Sequence, residues 1–321
     1  MKQEKTGIPV FFTIDDGYAP YAGVAIASLL ENASKDYDYK IHIVHQGLSG
    51  ENKRKLASLA DGHSEILFTE MADTLKTITD REENRLRCDY FTLTIYFRIF
   101  LSDMFPEYDK GIYLDSDIVV PGDISEMYQV ELGEEFIVGA CTDYSIQNIP
   151  QLVRYMEQGI GVKRMEYINS GVLVMNMKEM RAQALASRFL ELLNTYHVDS
   201  LAPDQDYINA MCHGKIAYLK QCWDVMPEKG SPDFTEPKLI HYNLFDKPWC
   251  YDGVQYEEYF WRYAEKSVFY PEILTHKENY SEEQKRRDEE KLAALIEKAD
   301  RSPDHDVTFR KLYERGIQVR L

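Results

Sequence analysis

The chain has 321 residues, which suits one large α/β domain with an appended segment, and its 44% hydrophobic content can supply a substantial core. The formal net charge of −17 argues against a protein that wraps nucleic acid through phosphate contacts, and against a generally basic membrane-binding face. An anionic substrate would therefore need a local positive group, such as a metal ion, a lysine or a helix N-terminus.

The cysteines are odd in number and form no C-x-x-C pair. They are Cys88, Cys141, Cys212, Cys222 and Cys250. The first residues, MKQEKTGIPVFFTIDDGY, turn acidic after a few apolar positions, unlike a secretory signal, and no apolar run reaches the length of a membrane span. These features predict free thiols in a reducing, cytoplasmic compartment.

Strand and helix patterns alternate in the first part of the chain. In order, we predict a buried strand that ends in an acidic turn, a helix, a second strand, an exposed helix and a third strand: IPVFFTIDDGY, APYAGVAIASLLEN, YKIHIVHQG, SGENKRKLASLA and SEILFTEM. This alternation favours a parallel sheet with helices on its faces.

The later patterns continue the same theme. They predict a helix, three strands, an amphipathic helix, a short helix, and a strand that opens into a loop: FTLTIYFRIFLSDMF, KGIYLDSDIVV, EEFIVGACTDY, YINSGVLVMNMK, MRAQALASRFLELLNTYH, DQDYINAMCHG and KLIHYNLFDKPW. After about residue 275 the chain is densely charged, with one apolar seam at helical spacing: Leu292, Leu295, Ile296 and Ala299. We therefore predict a domain over residues 1–265 and a helical C-terminal appendage over 266–321.

The stretch YLDSDIVV carries two carboxylates at the end of an apolar run. Alternate side chains of an extended chain share a face, so Asp115 and Asp117 would point the same way and repel each other. A divalent cation would relieve this repulsion, because hard cations prefer oxygen ligands. The alternative is a turn that simply contains acids.

Polar residues follow several of the predicted strands: Asp15 and Asp16, Asp115 and Asp117, Asp143, and His241. In open parallel sheets, ligands bind beyond the carboxyl ends of the strands, where these side chains could converge. The sequence contains no G-x-G-x-x-G after the first strand, no P-loop and no G-x-S-x-G. A dinucleotide site, a P-loop NTPase and a nucleophile elbow are therefore not indicated.

Five stretches, in order across about residues 8–250, resemble the retaining glycosyltransferases of family 8, which include bacterial lipopolysaccharide galactosyltransferases and glycogenin. The stretches are TIDDGYAPYAGVAIASLLEN, YFRIFLSDMFPEYDKGIYLDSDIVVPGDI, YINSGVLVMNMKEMR, DQDYIN and HYNLFDKPW. The resemblance implies a GT-A fold, a Rossmann-like, mainly parallel sheet flanked by helices. It also implies transfer of glucose or galactose from a UDP-sugar, with retention, to a glycan, a lipid-linked glycan or a protein.

The same resemblance implies the metal ligands and the donor contacts. Asp115, Asp117 and His241 would bind Mn²⁺, with Mg²⁺ less suited because one ligand is a nitrogen. The donor nucleotide would contact the D-x-D stretch and the first acidic turn through Asp15, Asp16, Gly17, Tyr18, Asp115, Ser116 and Asp117. Lys247 would supply a point charge to the diphosphate.

Three positions depart from the family pattern. Gly17 replaces an asparagine, Leu244 replaces a glycine whose backbone approaches the phosphates, and Asp246 places a negative charge beside Lys247. An alternative for Asp16 and Gly17 is that they only build the turn.

The sugar pocket implied by the resemblance is lined by Arg98, Asp143, Asn169, Asp204 and Gln205. Gln205 would lie beneath the anomeric carbon, and Asp204 would bind sugar hydroxyls. From the residues alone, Asp204 could instead be a helix N-cap. Arg98 projects from an apolar helix, so we expect an anionic partner, either a structural carboxylate or the donor.

Other features have structural interpretations beside functional ones. Asp123 is predicted to cap a helix rather than to act in catalysis. The aromatic cluster of Trp249, Tyr251, Tyr256, Tyr259, Phe260, Trp261 and Tyr263 could form an acceptor platform or pack the domain edge. The basic tail, VTFRKLYERGIQVRL, could dock on the protein, form a homodimer contact or attach weakly to the inner face of a membrane.

Two other functions remain open at this stage. One is a non-catalytic nucleotide-sugar binder on the same fold. The other is a metal-dependent phosphohydrolase of the haloacid-dehalogenase type, which would need its D-x-D after the first strand, whereas here the motif lies past residue 110.

Overall fold

The computed structural model describes residues 5–71, 96–227 and 233–321. Cys88 and the first residues of the predicted FTLTIYFRIFLSDMF helix, 91–95, lie outside these ranges. The other four cysteines are free thiols, as predicted. Among the described residues, none of the helices combines the length and apolarity needed to cross a bilayer.

Seven strands form one mixed sheet in the order β3-β2-β1-β4-β7-β6-β8. They are β1 (Gly7–Ile14), β2 (Asp38–His45), β3 (Ser64–Glu70), β4 (Gly111–Leu114), β6 (Val138–Thr142), β7 (Ile168–Met175) and β8 (Ile216–Tyr218). A separate two-stranded ladder joins β5 (Ile118–Val119) to β9 (Ile240–His241). The predicted strands are therefore confirmed, except that KGIYLDSDIVV divides into β4 and β5 around the two carboxylates.

The sheet is mainly parallel, as predicted, with one strand reversed. β7 is antiparallel to both of its neighbours, β4 and β6, whereas the β1–β2, β2–β3, β1–β4 and β6–β8 pairs are parallel. Because β7 runs the opposite way, its first residues lie where β4 and β6 end. Asn169, Ser170 and Gly171 thus join the carboxyl-end edge of the sheet, where ligands bind in this architecture.

Twelve α-helices are present among the described residues. They are α1 (Ala19–Asn32), α2 (Gly50–Ala57), α3 (Phe97–Met104), α4 (Ile124–Tyr128), α5 (Pro150–Arg154), α6 (Met177–Ala182), α7 (Leu185–Tyr196), α8 (Pro203–Met211), α9 (Glu257–Ala264), α10 (Tyr270–Asn279), α11 (Glu282–Arg301) and α12 (Phe309–Glu314). The predicted cap is confirmed at α4, where Asp123 accepts a hydrogen bond from the Ser125 amide at 3.0 Å.

The single amphipathic helix predicted over MRAQALASRFLELLNTYH is wrong. α6 ends at Ala182, and α7 begins at Leu185 after Ala184 adopts φ 52° in the left-handed region. The break lets Met180 of α6 and Phe189 of α7 both enter the core. A sequence without glycine or proline at the break gives no local sign of it.

Buried apolar side chains form two clusters, one on each face of the sheet. Adjacent residues of β1 separate between them, Phe11 into one and Phe12 into the other, as expected for period-two alternation. Helices α3, α7 and α12 cover the first face, while α1, α9 and α10 cover the second. Both faces are therefore buried, as the flanking-helix architecture requires.

The aromatic cluster mainly packs the domain edge. Phe260 and Tyr263 of α9 are buried in the second core cluster, and Tyr256, Tyr259 and Trp261 pack against it or within it. Packing thus accounts for most of this cluster. The exception is Trp249, which also lines the large cavity described below.

The segment after residue 265 packs on the sheet domain. Leu295 and Ala299 from the predicted seam of α11 enter the first core cluster, and a capping box of Ser281 and Gln284 begins that helix. In the basic tail, Phe309 and Leu312 are buried in the same cluster. The structure thus has the tail docked on its own domain, while a membrane or dimer contact stays a prediction.

Candidate active site

A cavity of about 690 Å³ opens at the edge of the sheet where β1 and β4 end and β7 begins. It is lined by all the predicted site residues except Asp16 and Asp143, namely Asp15, Gly17, Tyr18, Arg98, Asp115, Ser116, Asp117, Asn169, Asp204, Gln205, His241 and Lys247. Residues separated by more than 200 positions in sequence therefore meet around one space.

Asp115, Asp117 and His241 form a compact group, here called the Asp–Asp–His cluster, whose ligand atoms lie within 4.8 Å of one another. Nε2 of His241 is 3.3 Å from Oδ1 of Asp117 and 3.9 Å from Oδ2 of Asp115. The β5–β9 ladder explains the meeting, because it places Ile118 opposite His241. Two carboxylates and an imidazole converging on one point are a donor set suited to a divalent transition metal.

Asp224 supports this cluster and was missed by the sequence analysis. Its Oδ1 is 3.1 Å from Nδ1 of His241, and both side chains are buried. A parallel bridge between Val225 and Ile240 brings the two chain segments that carry Asp224 and His241 together. A carboxylate on the far nitrogen orients a ligating imidazole and strengthens it as a donor. Asp224 belongs to no recognisable motif, so only the tertiary contact identifies it.

The charges within the cluster depend on each other. Burial opposes protonation of His241, but the Asp117 and Asp224 carboxylates outweigh it and raise the pKa of His241 to about 10. Burial also raises the pKa of Asp224 to about 6, despite the histidine beside it. In the absence of a metal, the imidazolium thus offsets the carboxylates, and a bound cation would displace its proton.

Replacing Asp224 with asparagine should weaken divalent-cation binding by about 10- to 100-fold, because a neutral amide oxygen is a weaker acceptor than the carboxylate that orients His241 and strengthens it as a donor. Titration of Mn²⁺ into the purified variant, by calorimetry or by its paramagnetic signal, measures this directly. Asp109→Asn is the matched control, since Asp109 is 80% exposed and pairs with Arg181 on the surface. Equal affinities for the two variants would remove Asp224 from the site.

Gly171 is a second residue that the sequence analysis missed. A Cβ at this position would lie 2.5 Å from Oδ2 of Asp115 and 2.5 Å from Cε1 of His241. The carbonyl of Gly171 also accepts the backbone amide of Asp115 at 2.7 Å. The Asp–Asp–His cluster thus packs directly against the backbone of Gly171, where there is no room for a side chain.

Arg98 finds protein carboxylates as its partners. The buried guanidinium donates to Oδ1 of Asp115 at 2.8 Å and lies 3.0 Å from Oδ2 of Asp204. Burial opposes its charge, but the two acids outweigh this and raise the pKa of Arg98. Asp115 and Asp204 are therefore the protein partners of Arg98, and a contact with the donor stays a prediction. Arg98 links the Asp–Asp–His cluster to the start of α8.

Asp204 does not cap α8. The N-cap position is Ala202, and the amide of Ala202 is bonded instead by the carboxylate of Asp206 at 2.9 Å. Asp204 accepts from Oγ of Ser170 at 3.0 Å and pairs with Arg98. The N-cap interpretation of Asp204 is therefore wrong, and its carboxylate is held at the cavity wall.

Gln205 is fixed from two sides. Its Oε1 accepts the Ser170 amide at 3.0 Å, and its Nε2 donates to Oδ2 of Asp143 at 3.0 Å. Asp143 is fully buried and also accepts from Oγ of Ser145 at 2.6 Å. Asp143 therefore lies behind the cavity wall, where it positions Gln205, while Asn169 and Gln205 face the cavity.

Lys247 is buried against the Asp–Asp–His cluster. Its ammonium donates to the carboxylate of Asp117 and to the backbone carbonyl of Tyr242. Burial disfavours the charged Asp117 carboxylate, but Lys247 and His241 outweigh burial and hold its pKa well below the usual range. Asp246, the neighbour that seemed incongruous in sequence, is exposed while Lys247 is buried.

The loop that carries Lys247 contains a residue with a left-handed backbone, at the position where the sequence departs from the family pattern. Leu244 has φ 55°, a left-handed conformation that glycine adopts without steric cost. Its side chain packs against the first core cluster, which offsets part of the backbone strain. Leu244 thus combines a left-handed backbone with an apolar contact.

The two carboxylates of the first acidic turn, Asp15 and Asp16, make different contacts. Oδ1 of Asp15 accepts the Tyr18 amide at 3.0 Å and stays at the cavity. Asp16 instead accepts from the Ser49 amide at 2.8 Å, which together with Asn52 lowers the pKa of Asp16. Asp16 therefore ties the turn to the start of α2, the structural alternative. The ring of Tyr18 lines the cavity and is 41% exposed.

The family model described as glycosyl transferase family 8 matches residues 9–253. The chain belongs to this family. Its mostly parallel sheet flanked by helices is the GT-A fold, as predicted.

Curated relatives agree with this placement. A lipopolysaccharide 1,2-glucosyltransferase of Escherichia coli is 29% identical over 264 residues, which cover 77% of this chain and 74% of that protein. A putative glycosyltransferase of Haemophilus influenzae is 24% identical over 219 residues, covering 68% of this chain and 63% of that protein, so the match spans less than two thirds of its length.

Solved structures share the fold. The galactosyltransferase LgtC, in complex with donor and acceptor sugar analogues, superimposes with a TM-score of 0.69 at 23% identity over 87% of this chain and all of LgtC. The bifunctional glycosyltransferase WbbM gives 0.71 at 24% identity, over 85% of this chain and 52% of WbbM. These two structures therefore support the GT-A fold of this chain.

Proposed function

We propose that the protein transfers glucose or galactose from a UDP-sugar to an acceptor hydroxyl with retention of configuration, in a reaction that requires a divalent metal. The observation that carries this proposal is that the Asp–Asp–His cluster and Gln205 face one cavity. One relative is named a glucosyltransferase and one solved neighbour a galactosyltransferase, which supports both hexoses as donors. The acceptor is a glycan, a lipid-linked glycan or a protein.

The residues present fit a metal ion. The ligand atoms of the Asp–Asp–His cluster converge, Asp224 orients the imidazole, and Gly171 leaves no side chain between the ligands. A nitrogen beside two carboxylates suits Mn²⁺ better than Mg²⁺. When bound, the metal supplies Lewis-acid stabilisation of the diphosphate leaving group.

The chain's own cations complete the charge balance around the donor. The protein is strongly acidic, so a diphosphate needs local positive groups. Lys247 pairs with Asp117 and would turn its remaining hydrogen-bonding capacity to the diphosphate. Arg98 pairs with both Asp115 and Asp204 and offsets one of their two negative charges, which lowers the repulsion of a polyanionic donor.

We assign the transfer to same-face attack rather than to a covalent glycosyl-enzyme. Gln205 is neutral and a poor nucleophile, and covalent catalysis needs an activated one. The acceptor oxygen forms a bond to the anomeric carbon as the bond from that carbon to the UDP oxygen breaks. The acceptor proton passes to the departing UDP oxygen, while Gln205, held by Ser170 and Asp143, orients the sugar.

Replacing Gln205 with alanine should lower kcat by about 10- to 100-fold and change the Kd of the UDP-sugar donor by less than about threefold, because its interaction matters mostly in the transition state. Steady-state kinetics of UDP release and calorimetry with the UDP-sugar measure the two quantities. A glycosyl adduct trapped on Gln205, or on Asp143 or Asp204, would replace this mechanism by a two-step one.

A panel of UDP-sugars, each incubated with and without Mn²⁺ and assayed for UDP release, tests the function. UDP-glucose or UDP-galactose should be consumed, and chelation should abolish the activity. A protein that binds UDP but never turns over would be the non-catalytic binder. The phosphohydrolase alternative is disfavoured because the two carboxylates follow β4 rather than the first strand.

A further inference from the structure

The C-terminal appendage contributes a wall to the active-site cavity. His276 of α10, Tyr280, which follows that helix, and Asp288 of α11 line the same cavity as Gln205 and Lys247. We call these three residues the appendage wall. They lie beyond the family match, which ends at residue 253. In this protein the residues of the family match therefore do not enclose the cavity by themselves.

Hydrogen bonds and a ring contact hold the residues of the appendage wall in place. The carboxylate of Asp288 is only 12% exposed and accepts hydrogen bonds from the hydroxyls of Tyr251, at 2.8 Å, and Tyr280. The rings of His276 and Tyr280 lie 5.6 Å apart. A partly buried carboxylate beside two rings offers an acceptor for hydroxyl groups and an apolar surface for a flat ligand.

Ring contacts place the appendage wall at one end of the cavity. His276 meets the edge of Tyr21, with the ring centroids 6.2 Å apart. Tyr21 is stacked on Trp249 at 4.1 Å and touches Tyr18 at 5.7 Å. The wall is therefore continuous with the first acidic turn. Gln205 has different neighbours: it is hydrogen-bonded to Ser170, which lies in β7, and to Asp143, which follows β6.

From this arrangement we infer that the appendage wall binds the nucleoside of the donor. The inference rests on the proposed UDP-sugar function. The rings of His276 and Tyr280 pack against the base or the ribose, because flat aromatic surfaces bind nucleosides by stacking. The carboxylate of Asp288 accepts from ribose hydroxyls, a pairing that acidic residues make in other nucleotide sites. The appendage is then part of donor recognition.

The test is the binding of UMP without added metal and of UDP with Mn²⁺, measured by calorimetry on the full-length protein. UMP lacks the second phosphate, so its affinity reports the nucleoside contacts with the least contribution from the metal. His276→Ala should weaken both nucleotides by the same factor, on the order of tenfold. Tyr280→Phe, which keeps the ring and removes the donor to Asp288, should have a smaller effect in the same direction.

His305→Ala is the matched control, because His305 is exposed on the same appendage, pairs with Asp199 and does not line the cavity. It should bind both nucleotides as the wild-type protein does. Unchanged affinities in both wall variants would overturn the inference. Weakening of UDP alone would assign the wall to the diphosphate instead. Failure of the wild-type protein to bind either nucleotide would refute the UDP-sugar function itself.

Discussion

Asp117→Asn should lower UDP release and sugar transfer by at least about a hundredfold. Loss of a residue that only orients a metal ligand costs about 10- to 100-fold, and loss of a ligand should exceed that. The substitution also removes the anionic partner of Lys247 and of His241. The assay is UDP release at saturating donor, with Mn²⁺ added up to millimolar concentrations to show that excess metal does not restore the rate.

Asp109→Asn makes the same chemical change at an exposed position outside the cavity and should keep the wild-type rate. The metal affinity of both variants should be measured alongside the rate. Wild-type turnover of Asp117→Asn with added Mn²⁺ would show that the Asp–Asp–His cluster is not the metal site. Thermal denaturation shows whether any loss reflects unfolding.

Gly171→Ala should also impair metal binding and turnover, although it adds only one methyl group. The new carbon would lie 2.5 Å from both Oδ2 of Asp115 and Cε1 of His241, so one of these ligands must move. We expect Mn²⁺ affinity and UDP release each to fall by more than about tenfold. Overpacking of this buried site should also lower the free energy of unfolding by about 1–3 kcal/mol.

Gly62→Ala is the matched control, because a Cβ at Gly62 meets no atom within 4 Å and the residue is exposed. It should leave cation binding, turnover and stability unchanged. If Gly171→Ala bound Mn²⁺ as tightly as the wild-type protein, the close contact to the two ligands would have no functional meaning. Calorimetric titration and a denaturant melt separate loss of the site from loss of the fold.

Local sequence patterns predicted most of the elements. The apolar runs of β1 and β7 and the helix over residues 19–32 are found where they were expected, because each has a strong periodicity or a continuous buried stretch. The pair Asp115 and Asp117 was also recognisable from local sequence, because two carboxylates directly after an apolar run are unfavourable without a partner. The five family motifs then predicted which distant residues share the cavity with them.

The tertiary structure alone identified the supporting residues. A backbone bridge between Val225 and Ile240 brings Asp224 within hydrogen-bonding distance of His241. Gly171 lies against the metal ligands because β7 runs antiparallel beside β4. Neither residue has a local pattern that distinguishes it from an ordinary loop acid or strand glycine. The break between α6 and α7 has no glycine or proline to mark it either, since it is packing on the sheet that favours two short helices.

The sequence by itself determined the fold class, the family and the carboxylates and imidazole of the candidate metal site, because these depend on periodicity and on motifs in fixed order. It predicted the appendage as a charged helix with one apolar seam, and α11 has that seam. Only the tertiary structure showed that His276, Tyr280 and Asp288 line the active-site cavity. The physical reason is that a cavity is formed by side chains brought together from distant segments, and the pattern within one helix specifies which face is buried but not what the opposite face meets.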